Sequence, residues 1–156
     1  MNGLTSHYHA VVFDMDGVLI ERLARRGVPA VSGVAEFVER LAPAGVPCAV
    51  ATSASRHDVD RLLGAIGVAR RFRAIVTSAD VRFGKPDPEV YVLAARELAT
   101  PPRRCLAFED SVVGVHAACA AGMAVVGVTT AYTGAELRAA GAGRTIESFE
   151  GFDWPL

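Results

Sequence analysis

Asp14 and Asp16 stand one residue apart at the end of an apolar run, VVFDMDGVLI (residues 11–20). Two carboxylates so placed repel each other and lose hydration, a penalty that a bound cation offsets. A second acidic pair, Glu109 and Asp110, ends the run CLAFED (105–110), and a hydroxyl pair, Thr52 and Ser53, ends VPCAVATS (46–53). Lys85 lies in GKPDP (84–88). Oxygen donors without His or Cys suit Mg²⁺, which keeps several waters and leaves positions open for a phosphate. The Thr52 hydroxyl, N–H groups at a helix start and the Lys85 ammonium suit an anion. Metal ligands beside anion donors read as phosphoryl transfer, in which charge spread over the transferring oxygens must be neutralised.

These residues can cooperate only if the fold gathers them. A strand at Ala10 to Phe13 is followed by helical spacing at Val34, Phe37, Val38 and Leu41. The strand at 46–53 precedes a helix with Ser55 as N-cap, Asp58 three residues on, and Val59, Leu62, Leu63 and Ile66 on one face. AIVTS (74–78) reads as a third strand, and Asp87-Pro88 as a cap followed by proline at the first helical position. CLAFED is the fourth strand; Ser111 caps a helix that stops at Gly122. MAVVGVTT (123–130) is the fifth strand, Thr133-Gly-Ala-Glu136 opens a short helix ending at Gly141, and Thr145-Ile146 add an edge strand. Apolar strands alternating with amphipathic helices predict an α/β fold with a doubly wound, mostly parallel, Rossmann-like sheet and helices on both faces. Ligands bind such sheets outside the carboxyl ends of the strands. Asp14, Asp16, Thr52, Ser53, Glu109 and Asp110 all fall just past strand ends, so one edge should collect them.

Length and composition are compatible with one domain over residues 1–156: 51% of residues are hydrophobic and 21% charged. Sixteen basic residues face 17 acidic ones, for a net charge of −1, which gives no bulk affinity for nucleic acid or an anionic membrane. No run of about 18 apolar residues predicts a membrane span. The N-terminus lacks a signal-peptide pattern. Cys48, Cys105 and Cys119 show no C-x-x-C spacing and read as buried reduced thiols, in keeping with a cytoplasmic setting. Arg25-Arg26, Arg70-Arg71 and Arg103-Arg104 read as solvated pairs. His7 and His9 read as flexible N-terminus, His57 as an exposed helix face, and His116 as a satisfied histidine among small apolar residues.

FDMDGVL resembles the D-x-D-G-x opening motif of the haloacid dehalogenase (HAD) superfamily. ATSAS (51–55) is similar to its second motif, GKPDPE (84–89) to its third and FEDSVVGVHAACAAGM (108–123) to its fourth. Order and spacing agree from Ala10 to about Thr130, and the flavour is that of phosphoglycolate phosphatases and β-phosphoglucomutases. The resemblance implies that Asp14 is the nucleophile, forming an aspartyl-phosphate, and that Asp16 is the general acid and base. It implies Mg²⁺ held by the Asp14 and Asp110 carboxylates and the Asp16 backbone carbonyl, with Glu109 ligating or supporting through water. Thr52 and Ser53 would bind phosphoryl oxygens, and Lys85 would offset charge between Asp14 and the phosphate.

Plainer readings exist for each residue: strand-end caps for Asp14 and Asp16, N-caps for Thr52 and Ser53, a surface lysine for Lys85, a structural acid for Glu109. The convergence expected at one edge favours the chemical reading over these. Among functions, a haloacid dehalogenase-type hydrolase would use the same nucleophile on carbon, but it has no use for a metal or a leaving-group acid. A signalling receiver spreads its acidic pair and acceptor aspartate over separate strands. A non-catalytic phosphate-binding module would have little reason to keep Asp14, Asp16, Lys85 and Asp110 together.

Relatives of this subgroup usually carry a helical cap domain between the first and second motifs. Here residues 21–32 alone separate Ile20 from Gly33, far short of the roughly 50 residues a domain takes. The expected protein is a HAD-like core with no cap domain. Its site should be open to a phosphorylated small molecule or a larger phosphorylated substrate, or be covered by a second copy in a homo-oligomer. Mutase activity, which needs an intermediate sequestered from water, is disfavoured.

Overall fold

The computed structural model describes residues 7–22 and 30–155. Among these described residues six strands form one sheet: β1 (Ala10–Phe13), β2 (Cys48–Ala51), β3 (Phe72–Val76), β4 (Cys105–Glu109), β5 (Ala124–Val128) and β6 (Arg144–Ile146). Their spatial order is β3-β2-β1-β4-β5-β6, and every pairing is parallel. Five helices connect them: α1 (Val34–Leu41), α2 (Arg56–Ala65), α3 (Glu89–Glu97), α4 (Val112–Ala120) and α5 (Gly134–Ala140). The fold is thus the expected doubly wound, Rossmann-like α/β sheet.

Strand alternation divides the core in two. Val11 and Phe13 of β1, Cys48 and Val50 of β2, and Leu106 and Phe108 of β4 face α1 and α2. Ala10, Val12, Ala49, Ala51, Cys105 and Ala107 face α3, α4 and α5. Small side chains on the second face let those helices approach closely. The first face is aromatic: Phe13 stacks on Phe108 with ring centroids 5.3 Å apart, and Phe37, Phe149 and Phe152 close around them. β1 and β4, central and buried on both faces, are apolar along almost their whole length, as a parallel sheet requires.

The predicted serine and threonine caps form. Ser55 accepts from Asp58 N–H, Ser111 from Gly114 N–H, and Thr133 with Glu136 makes a reciprocal capping box. Asp87 Oδ1 accepts from Glu89 N–H at 2.9 Å, but α3 starts two residues after it, so Pro88 takes the cap position expected for Asp87. β2 is shorter than 46–53, and β3 begins at Phe72, two residues before the expected start. After β6 the chain does not stop at an edge strand. It returns across α1, burying Phe149 and Phe152, while Arg40 donates to Phe152 O at 2.7 Å and pairs with Asp153.

Three expectations need correction. His116 is exposed rather than enclosed, because it lies on the outer face of α4. Cys119 is only partly buried, unlike Cys48 and Cys105; all three thiols are free. His9 is tied down by its N–H to Arg104 O at 2.7 Å. Arg25 and Arg26 lie outside the described residues. Among the described residues no helix is long and apolar enough to cross a membrane.

Candidate active site

Between β1 and β4 the connections change direction: β2 and β3 lie on one side, β5 and β6 on the other. A crevice forms at such a switch point, outside the carboxyl ends of the strands. Phe13 is in register with Phe108, and Asp14 N–H donates to Phe108 O at 3.0 Å, so Asp14 and Glu109 emerge side by side. The loop after β1 doubles back at once, with the Met15 carbonyl accepting from the N–H groups of Val18, Leu19 and Ile20. Gly17, at φ 76°, makes this turn possible, and a Cβ there would overlap the Asp110 carboxylate.

Lys85 enters from the loop between β3 and α3 and joins the strands. Its Nζ donates to Asp14 Oδ1 at 3.0 Å, Glu109 Oε1 at 2.5 Å and Ala51 O at 3.1 Å. All three donor positions of the ammonium are thereby used. Glu109 is fully buried and is held from every side. Tyr91 of α3 donates to Oε1 at 2.5 Å, and Ser111 Oγ and Asp110 N–H reach Oε2 at 3.3 and 3.2 Å. Gly114 lets the first turn of α4 close against this carboxylate, where any Cβ would overlap it. Asp110 is also fully buried. Its oxygens take a bidentate pair from Arg22, Nε to Oδ2 at 2.7 Å and Nη2 to Oδ1 at 3.0 Å, with Thr130 Oγ1 at 3.3 Å from Oδ2.

Of the predicted residues, then, Asp14, Lys85, Glu109 and Asp110 meet directly. Asp16 follows on the same loop, half-buried, its backbone bridged to Ile20. Thr52 lies at the end of β2, buried, with Oγ1 accepting from Ala54 N–H at 3.0 Å; Ser53 beside it is exposed. Tyr91, Arg22 and Thr130 are polar contributors that the sequence did not single out. Tyr91 reads as a core aromatic at helical spacing, and Arg22 lies in what reads as a plain connection.

Burial, and secondarily the charge of Glu109, pushes Asp14 up to about 7, against the pull of Lys85. Asp110 also shifts upward, by burial first, with Arg22 opposing. Burial alone would lower the Lys85 pKa, but the Asp14 and Glu109 carboxylates outweigh it and the net shift is upward, so this lysine stays charged. These upward shifts, of acids and lysine alike, describe a site crowded with negative charge that one ammonium only partly balances. Asp14, Glu109 and Asp110 each offer an oxygen within 4.8 Å of the others. A hard divalent cation fits this all-oxygen set.

A Rossmann-like sheet with paired acids and a buried lysine at its switch point sets the class: an α/β protein with an acidic site at the carboxyl ends of its strands. Residues 20–128 match the haloacid dehalogenase-like hydrolase family, and the chain belongs to it. The match begins after Asp14 and Asp16, so the assignment of those two rests on the motif and the geometry. The chain is 38% identical over 117 residues to Protein CbbY of Rhodobacter capsulatus, covering 73% of this chain and 52% of that protein. It is 36% identical over 102 residues to the validoxylamine A 7'-phosphate phosphatase of Streptomyces hygroscopicus subsp. limoneus, covering 65% and 48%. Among solved structures it resembles CbbY from Rhodobacter sphaeroides in complex with phosphate, with a TM-score of 0.77, 27% identity, and coverage of 91% of this chain and 95% of that one. By sequence, the chain spans about half the length of the curated relatives it matches.

Proposed function

We propose that this chain is a Mg²⁺-dependent phosphatase that hydrolyses a phosphomonoester through an aspartyl-phosphate on Asp14, its residues 1–156 forming one HAD-like core domain. The observation that carries the reading is the contact of Lys85 with both Asp14 and Glu109, beside Asp110, at the switch point of the sheet. The names of relatives, the validoxylamine A 7'-phosphate phosphatase among them, support the same reaction class.

Asp14 Oδ attacks phosphorus, and the leaving alcohol departs as Asp16 protonates its oxygen; Asp16 then removes a proton from the water that cleaves the acyl-phosphate. Asp14 must be ionised to attack, and Lys85 at 3.0 Å favours that form. Beside Asp14, Lys85 would offset charge between that carboxylate and the phosphate, with Thr52 and Ser53 supplying hydroxyl and backbone donors. Magnesium would be held by Asp14, Asp110 and the Asp16 backbone carbonyl, and supplies charge neutralisation for the transferring phosphoryl group. Glu109, with both oxygens occupied by protein donors, fits the supporting role better than direct ligation; it fixes Lys85.

The connection at 21–32 is too short in sequence for a cap domain, so the substrate would reach the site from open solvent or beneath a second copy of the chain. Phe83, Val113 and Tyr132, exposed large side chains close in sequence to Lys85, Asp110 and Thr130, could provide apolar contact for it. The setting read from composition is cytoplasmic.

Phosphate release from p-nitrophenyl phosphate with Mg²⁺ tests the proposal. Turnover abolished by EDTA and by Asp14→Asn supports it; turnover unchanged in Asp14→Asn overturns it. A screen of phosphorylated metabolites then defines the substrate.

A further inference from the structure

We propose that Arg22 is a built-in competitor of the divalent ion: its guanidinium holds the Asp110 carboxylate and is exchanged for the metal when the metal binds. This rests on the metal reading above and goes beyond it, because the residue is cationic and belongs to no metal-ligand set.

The geometry gives each partner a different freedom. Asp110 is fully buried and fixed: its backbone follows β4, Thr130 Oγ1 lies 3.3 Å from Oδ2, and the Gly17 backbone packs against its carboxylate. It cannot turn away to free an oxygen. Arg22 comes from the rim with its side chain 45% exposed, so it can leave into water. Its fork, at 2.7 and 3.0 Å, occupies both oxygens of Asp110. A planar guanidinium matched to a carboxylate in this way forms one of the stronger side-chain pairs. A divalent ion that used Asp110 would have to displace at least one of those bonds.

Charge repulsion points the same way. The buried acids Asp14, Glu109 and Asp110 face two cationic side chains, Lys85 and Arg22. Asp16, half-buried, adds a fourth carboxylate that acts on Arg22, so the preference does not rest on a net count. A divalent ion on Asp110 would lie against the guanidinium that shares its oxygens, and two cations at that range repel each other. Exchange is therefore favoured over joint occupancy. Displaced, the guanidinium remains at the rim, where an incoming phosphate would meet it.

Isothermal titration of the full chain with Mn²⁺, a spectroscopically convenient stand-in for Mg²⁺, tests this on wild type, Arg22→Ala, Arg22→Lys and Asp110→Asn. Arg22→Ala should bind Mn²⁺ about tenfold tighter or more. Arg22→Lys should fall between, keeping the charge without the fork, and Asp110→Asn should lose binding. Metal-free Arg22→Ala should melt below wild type, since Asp110 is left buried and unpaired, and Mn²⁺ should raise its melting temperature by more. If the alanine variant does not fold without metal, Arg22→Lys carries the comparison. Equal affinity in wild type and the Arg22 variants overturns the role of Arg22 alone. Weaker Mn²⁺ binding in those variants also overturns it, by making Arg22 part of the binding site. No binding by any form overturns it together with the metal reading.

Discussion

Asp14 is where the residue-scale forces conflict most. It is 7% exposed, next to Glu109, and relieved by Lys85. Its pKa moves from the usual 3.8 to about 7, so the folded chain keeps this proton to higher pH than the unfolded chain does. Unfolding then releases a proton between those values, and the metal-free protein loses stability as pH rises from about 4 to about 7. Asp14→Asn cannot ionise, so its stability advantage should grow across that window and level off above it. The advantage should reach on the order of 2–4 kcal/mol at pH 8 in EDTA, read by urea denaturation. A gap that does not change with pH would contradict the assignment of Asp14 as the strained acid. Glu109→Gln weakens the partner of both Lys85 and Tyr91 in a fully buried place; a loss of about 3–5 kcal/mol is expected from chemical denaturation, because Lys85 loses a counter-charge. Asp14, Lys85 and Asp110 were legible in the sequence because each follows an apolar strand or enters a short loop at a fixed offset. Tyr91, Arg22 and Thr130 were not, since their polar atoms reach the site only through the packing of α3, the turn after β1 and the end of β5.

At the scale of elements, α4 carries the most constraint. The entry to it, Asp110 and the cap residue Ser111, aims an N–H and a hydroxyl at Glu109 Oε2, and the first turn closes over that carboxylate only with a residue that has no Cβ at position 114. Alanine is the better helix former by about 1 kcal/mol, so propensity alone predicts that Gly114→Ala stabilises the protein. The overlap with Glu109 reverses the sign. The variant should lose about 2 kcal/mol net and also activity, as Glu109 shifts and carries Lys85 with it. A more stable Gly114→Ala with full turnover would show that α4 does not press on Glu109. The helices themselves were readable from spacing and caps: Val34, Phe37, Val38 and Leu41 are all buried, and Ser55, Ser111 and Thr133 all cap. Strand limits were less so. Val46 and Pro47 continue the apolar pattern before β2 but lie outside it, although the Pro47 carbonyl accepts from Val11 N–H, and Phe72 joins β3 directly after the arginine pair that reads as solvated.

Over the whole molecule, the sheet order and the C-terminal return set the site's support. The segment after β6 drives Phe149 and Phe152 into the aromatic cluster against Phe13 of β1 and Phe108 of β4, the residues that immediately precede Asp14 and Glu109. An edge strand at 145–146 was predictable, but the return was not: the aromatics at 149, 152 and 154 fit neither a helical nor a strand period, and their burial depends on where α1 lies. Phe149→Ala should cost about 3–5 kcal/mol by denaturant titration, far more than a disposable tail would. The central claim is that this assembled edge makes Asp14 a nucleophile toward phosphorus. Acid-quenching the protein during turnover of p-nitrophenyl phosphate, reducing with borohydride and mapping the peptides reads that directly. The account predicts homoserine at position 14, formed by reduction of the aspartyl-phosphate and absent without substrate. Steady turnover with position 14 unmodified, or with the reduced residue elsewhere, would contradict it.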